Sequence, residues 1–165
     1  MSRTYDLVMF DLDGTLVETA PEIMDATNDT LRHFELAEVT QAQINAWIGH
    51  GTRELLISAL AYVQQRGVEA VRADALLPAY LAEFDIHYQE RCGTRSHLYP
   101  QVRETLVALH AQGVKLAVVT NKDGRFTTAV LNAHQLMPLL HRVVSGDTMP
   151  IKKPDPAGIQ SCLEQ

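Results

Sequence analysis

Four apolar residues, Leu7-Val-Met-Phe10, run straight into Asp11-Leu-Asp-Gly-Thr15. A short, unbroken apolar run closed by turn residues is the pattern of a strand buried in a parallel sheet. Open α/β sheets bind their ligands at the carboxyl ends of such strands. Here that end carries two carboxylates, Asp11 and Asp13, flanking one leucine. Acids this close repel one another unless a cation or a shared proton intervenes. A hard divalent metal and an anionic substrate meet that requirement. The opening of the chain therefore predicts an α/β protein with an acidic pair at a strand mouth.

The rest of the chain divides by rhythm. Helical patterns run almost unbroken from about Pro21 to Cys92. The first places Ile23, Ala26, Thr27, Thr30, Leu31 and Phe34 on one face. Thr40 is an N-cap candidate for a short helix that Gly49 and Gly51 break. Thr52, Leu55, Leu56, Ala59, Leu60 and Val63 give the spacing of an amphipathic helix ended by Gly67. A further stretch from Glu69 is bent or divided at Pro78 and stopped by Gly93. From Leu98 helices and strands alternate. A helix opens with Pro100 near its first turn and closes at Gly113. Lys115-Leu-Ala-Val-Val-Thr-Asn121 and His141-Arg-Val-Val-Ser145 read as strands, with helices over 127–134 and from Pro156 onward. That alternation predicts βαβ units and a parallel sheet.

Composition narrows the function. With 46% apolar residues, 21% charged and a formal charge of −6, the chain reads as a globular protein with a sizeable core. No basic stripe interleaved with aromatics points to nucleic acid. No run is long enough to span a bilayer, and the N-terminus lacks a signal-peptide pattern. The expected location is cytoplasmic. Cys92 and Cys162 lie far apart without metal-type spacing and read as unpaired thiols.

Asp-Leu-Asp-Gly-Thr after an apolar strand resembles the first motif of the haloacid dehalogenase-like superfamily, in its phosphatase branch. The stretch Phe10 to Pro21 is most similar to the phosphoglycolate phosphatases and their near relatives. Thr120-Asn121 is similar to the second motif, where a hydroxyl and backbone amides meet phosphoryl oxygens. Ile151-Lys-Lys-Pro-Asp-Pro156 is similar to the third, which makes Lys153 the functional lysine. Lys152 and Lys122 read as solvated neighbours. The resemblance implies a doubly wound (Rossmann-like) parallel sheet, with a core over 1–17 and 96–165 and an all-helical cap over 18–95. It implies Asp11 as nucleophile, Asp13 as general acid and base, and Lys153 as charge stabiliser. Mg2+ would sit on the Asp11 carboxylate and the Asp13 backbone carbonyl. Thr120, Asn121 and Arg53 would bind a small phosphorylated metabolite, Arg53 from the loop Trp47-Ile-Gly-His-Gly-Thr-Arg53. His50 reads as an exposed loop residue and Trp47 as core.

The superfamily's fourth motif, an apolar strand ending in Gly-Asp after the lysine, is not found before Gln165. Ser145-Gly-Asp147 is superficially similar but precedes Lys153, so it belongs to the loop of the third strand. The expectation is a sheet incomplete at its C-terminal end, with Leu7–Phe10 as an apolar edge that a homodimer could cover. Impaired catalysis is expected with it. Two alternatives stand beside the phosphatase: a sugar phosphomutase of the same superfamily, and a catalytically dead, self-associating fragment.

Overall fold

The structure is a computed structural model that describes residues 5–164. The chain forms two compact units, Met1–Glu18 with His97–Gln165, and Thr19–Ser96.

The first unit is α/β. Strand β1 (Leu7–Phe10) pairs in parallel with β4 (Lys115–Val119), and β4 with β5 (Arg142–Val144), giving the order β1-β4-β5. The register sets Phe10 beside Val118 and Val119 beside Val144. β1 is thus an edge strand among the described residues, half-buried along its length. Helix α8 (Ala157–Leu163) covers one face. There Cys162 packs with Ala117, Val119 and Val144, and Leu7, Met9 and Met149 join from the side. Gly158 permits the close approach: a Cβ there would lie 3.3 Å from Val144 and 3.4 Å from Val119. Phe10, pointing the other way by strand alternation, shares a groove with Val102 and Leu106 of helix α6 (Val102–Ala111). Helix α7 (Gly124–Ala133) completes the unit, burying Phe126, Val130 and Leu131.

The second unit is all helical. Helix α1 (Ala20–His33) starts on Pro21 and Glu22 and ends on Arg32 and His33, matching the polarity of a helix end to end. Its buried face is the expected one, and the Thr27 and Thr30 hydroxyls donate to the carbonyls of Ile23 and Ala26. Buried Asn28 holds the following loop, exchanging two hydrogen bonds with the Val39 backbone at 2.8 and 2.9 Å. Helix α2 (Gln41–Trp47) begins with a capping box between Thr40 and Gln43. Helices α3 (Thr52–Val63) and α4 (Val68–Arg72) follow. Helix α5 (Leu77–Arg91) buries Leu77, Tyr80, Phe84 and Tyr88.

Three details depart from the sequence expectation. Helix α3 ends at Val63, before Gly67, because Gln65 takes the left-handed conformation (φ 52°) that closes it. Pro78 opens α5 from its first turn, so the chain divides before the proline and not at it. Leu98 is a strand residue: β2 (Val17–Glu18) and β3 (His97–Leu98) pair antiparallel, and α6 starts only at Val102, after left-handed Gln101. Both cysteines are free.

Candidate active site

The residues after β1 curl into a tight turn. The Leu12 carbonyl accepts from the amides of Thr15, Leu16 and Val17 at 3.0–3.2 Å, and Gly14, at φ 78°, donates to the Val17 carbonyl. Leu12 is fully buried. With Leu12 anchored inward, Asp11 and Asp13 on either side are held at the strand mouth.

At the end of neighbouring β4, the Thr120 amide continues the ladder to the Val144 carbonyl, 2.9 Å. Thr120 is buried, and its Oγ1 accepts from the Lys122 amide, 3.2 Å. The Asn121 side chain accepts from the Lys153 amide (2.9 Å) and donates to the Lys153 carbonyl (3.1 Å). In the structure its amide is spent on the Lys153 backbone, fixing the 151–156 loop to β4. Lys153 then extends Nζ to Asp11 Oδ1 (2.9 Å) and to the Val119 carbonyl (2.8 Å).

Lys122 overturns its expectation as a solvated neighbour. Its side chain is 2% exposed and its Nζ lies 2.9 Å from Asp13 Oδ1, whose side chain is 10% exposed. The Lys153–Asp11 pair is more open, at 27% and 38%. A buried lysine needs a partner to offset its desolvation, and Asp13 supplies one. Charge accounting could have found it: two acids at one strand mouth call for two cations, and Lys153 is one. The next lysine delivered to the same edge, directly after Thr120-Asn121, is Lys122.

The β5 loop braces this corner. Gly146 donates to the Lys122 carbonyl at 2.7 Å. A Cβ on Gly146 would stand 2.2 Å from the Asn121 carbonyl oxygen, so only glycine fits. Asp147 Oδ1 accepts from the Ser145 hydroxyl (2.7 Å) and from the Gly124 amide at the first turn of α7 (2.9 Å). The Ser145 hydrogen bond, opposed by burial and aided by the Gly124 amide, holds the Asp147 carboxyl below the usual carboxylate range. Asp147 thus serves the α7 start from the loop after β5.

Arg53 lies in the helical unit, exposed in the first turn of α3, with no partner among the described residues. Gly49 and Gly51 before it adopt φ 112° and 92°, open to glycine. His50 is exposed, and Trp47 is half-buried against Tyr62, ring centroids 5.9 Å apart.

The donors at the strand mouth suit a hard cation. Mg2+ takes one or two carboxylates and fills its octahedron with water and substrate phosphate oxygens. The Asp11 carboxylate and the Asp13 backbone carbonyl are oxygen donors that suit it, and no cluster of three or more acids, histidines or cysteines able to hold a metal occurs among the described residues.

A parallel sheet with a helical insertion after its first strand, two acids at that strand's mouth and a lysine reaching each of them define a class. The chain belongs to the haloacid dehalogenase-like hydrolases, whose family model matches residues 8–165. It is 37% identical over 167 residues to a phosphoglycolate phosphatase of Aliivibrio fischeri, covering all of this chain and 72% of that protein. It is 35% identical to a phosphoglycolate phosphatase of Vibrio cholerae, covering 99% and 71% of the two chains. The crystal structure of a predicted phosphoglycolate phosphatase from Haemophilus somnus superposes with a TM-score of 0.86 at 30% identity, covering 97% of this chain and 71% of that one. No helix among the described residues is long and apolar enough to cross a membrane.

Proposed function

We propose that the chain hydrolyses a small phosphomonoester, phosphoglycolate foremost, with Mg2+ and through an aspartyl-phosphate on Asp11. The observation that carries this reading is the Lys153–Asp11 pair at 2.9 Å, held at the mouth of β1 by the Asn121 clamp. Support for the substrate comes from the phosphoglycolate phosphatases to which the chain is similar. A cytoplasmic location accords with such a substrate.

Asp11 is the more exposed of the two acids, as a nucleophile must be. One of its oxygens attacks phosphorus in line, forming the acyl-phosphate bond while the P–O bond to the alcohol breaks. Asp13 gives its proton to the departing alkoxide, then takes one from the water that attacks phosphorus and frees Asp11. Lys153 orients the Asp11 carboxylate and balances the charge gathered there. The hydroxyl of buried Thr120 accepts from the Lys122 amide and keeps its own proton to donate to a phosphoryl oxygen. Asp11 and Asp13 would hold Mg2+, which supplies Lewis-acid shielding of the phosphoryl charge when bound. For a substrate carboxylate the chain offers Arg53, whose exposed guanidinium can form a bidentate pair.

Wild-type protein should release inorganic phosphate from phosphoglycolate in Mg2+ and stop when the metal is chelated. Asp11→Asn should reduce release to background with the fold intact by circular dichroism. Undiminished release by that variant overturns the assignment.

A further inference from the structure

We propose that Lys122 is a positioning residue for Asp13, directing its carboxylate at the leaving-group oxygen. The inference rests on the proposed function, since it needs Asp13 to be the acid of a phosphoryl transfer.

The ammonium is delivered by a rigid platform. The Lys122 amide is fixed to Thr120 Oγ1, and its carbonyl accepts from the Gly146 amide and the Thr127 hydroxyl. Gly146 in turn is pressed against the Asn121 carbonyl with no room for a side chain. A lysine so anchored and so buried has little rotamer freedom, so Nζ marks a defined point 2.9 Å from Asp13 Oδ1. Holding one oxygen fixes the plane of the carboxylate and so the direction in which it presents the other. Proton transfer depends steeply on such alignment, because a misplacement of about 1 Å can cost about 10²-fold. Lys153 is different: more exposed, and bound to the nucleophile. The two lysines thus divide the work, one ordering the attacking oxygen and one ordering the acid.

The test is leaving-group dependence. Expulsion of an alkoxide from phosphoglycolate needs protonation, whereas p-nitrophenolate departs without it. In rapid-quench single turnovers, Lys122→Met should lower the rate of phosphoryl transfer from phosphoglycolate to Asp11 by about 10²-fold, the lower range of general acid catalysis, while transfer from p-nitrophenyl phosphate loses only a few-fold. The substrate concentration giving half the maximal transfer rate should change little for either. Asp13→Asn should show the same selectivity, and the double variant should fall little further than either single one. Should Lys122→Met not fold, Lys122→Gln, polar but shorter and without the charge that reaches Asp13, carries the same comparison. Equal losses of transfer rate on both substrates, or a rise in the half-saturating concentration alone, overturn the positioning role and leave the phosphatase reading standing. No turnover of either substrate by wild-type protein overturns both.

Discussion

The two units use charge in opposite ways. In the α/β unit, two lysine–aspartate pairs converge at neighbouring strand ends, one almost sealed from solvent and one open. In the helical unit the charges spread along a seam. Arg91 of α5 bonds Asp29 of α1 at 2.9 Å, Arg32 bonds Asp29 and Glu38, and His33 and His87 both reach Glu83. Most of these side chains are substantially exposed, so solvent screens them. The helical unit is held by its apolar stripe: α1 packs on α5, with Phe84 and Tyr88 fully buried and their rings 5.4 Å apart. Buried, converging charge marks the place where chemistry is prepared. Dispersed, wet charge is a seam that sets orientation and solubility.

The contrast is sharpest in activity. Lys153→Ala should cut kcat by about 10²–10³-fold through loss of charge stabilisation at the nucleophile. Arg91→Ala in the seam should leave steady-state turnover unchanged, and a comparable loss there would erase the distinction. Stability should reverse the ranking. Phe84→Ala, which empties a fully buried ring site, should cost about 3–5 kcal/mol in urea unfolding. Gly146→Ala forces a methyl into the Asn121 carbonyl and should cost about 1–3 kcal/mol. It should also lower kcat, since Asn121 anchors Lys153.

The smallest effect belongs to the seam. Burial raises the Asp29 carboxyl, but the Arg91 hydrogen bond, the Arg91 charge and Arg32 together bring it below the usual range. A carboxyl depressed in the folded state contributes stability that is fully present above its unfolded value. That contribution is lost as pH falls through the lowered one. Asp29→Asn should therefore flatten the acid limb of stability against pH by no more than about 1 kcal/mol. Added salt should shrink the difference further.

Much of this was legible in the sequence because its signals are local. The apolar run before Asp11 and Asp13 and the turn residues behind them prescribe a strand and its mouth within a dozen residues. Thr40 three residues before Gln43 prescribes a helix start. Less legible was whatever depends on contacts distant along the chain. The β2–β3 pair consists of two-residue strands separated by the whole helical unit, too short for any period to show. Gln65 and Gln101 adopt left-handed conformations without being glycine, so the local rule pointed to the wrong residue. Lys122 looked solvated because burial of a lysine is decided by its partner, and Asp13 lies far back in the chain, in the turn after β1. The clamp made by the Asn121 side chain was hidden for the same reason, its partner Lys153 being far along the chain.

The central claim is that Asp11 accepts the phosphoryl group. The direct measurement is mass spectrometry of protein quenched in acid during steady turnover of phosphoglycolate with Mg2+, followed by mapping of the modified peptide. The account predicts a single phosphoryl adduct on Asp11, abolished in Asp11→Asn and enriched in Asp13→Asn with p-nitrophenyl phosphate, where formation outpaces hydrolysis. Brisk release of phosphate with no adduct on Asp11, or an adduct on another residue, would contradict it.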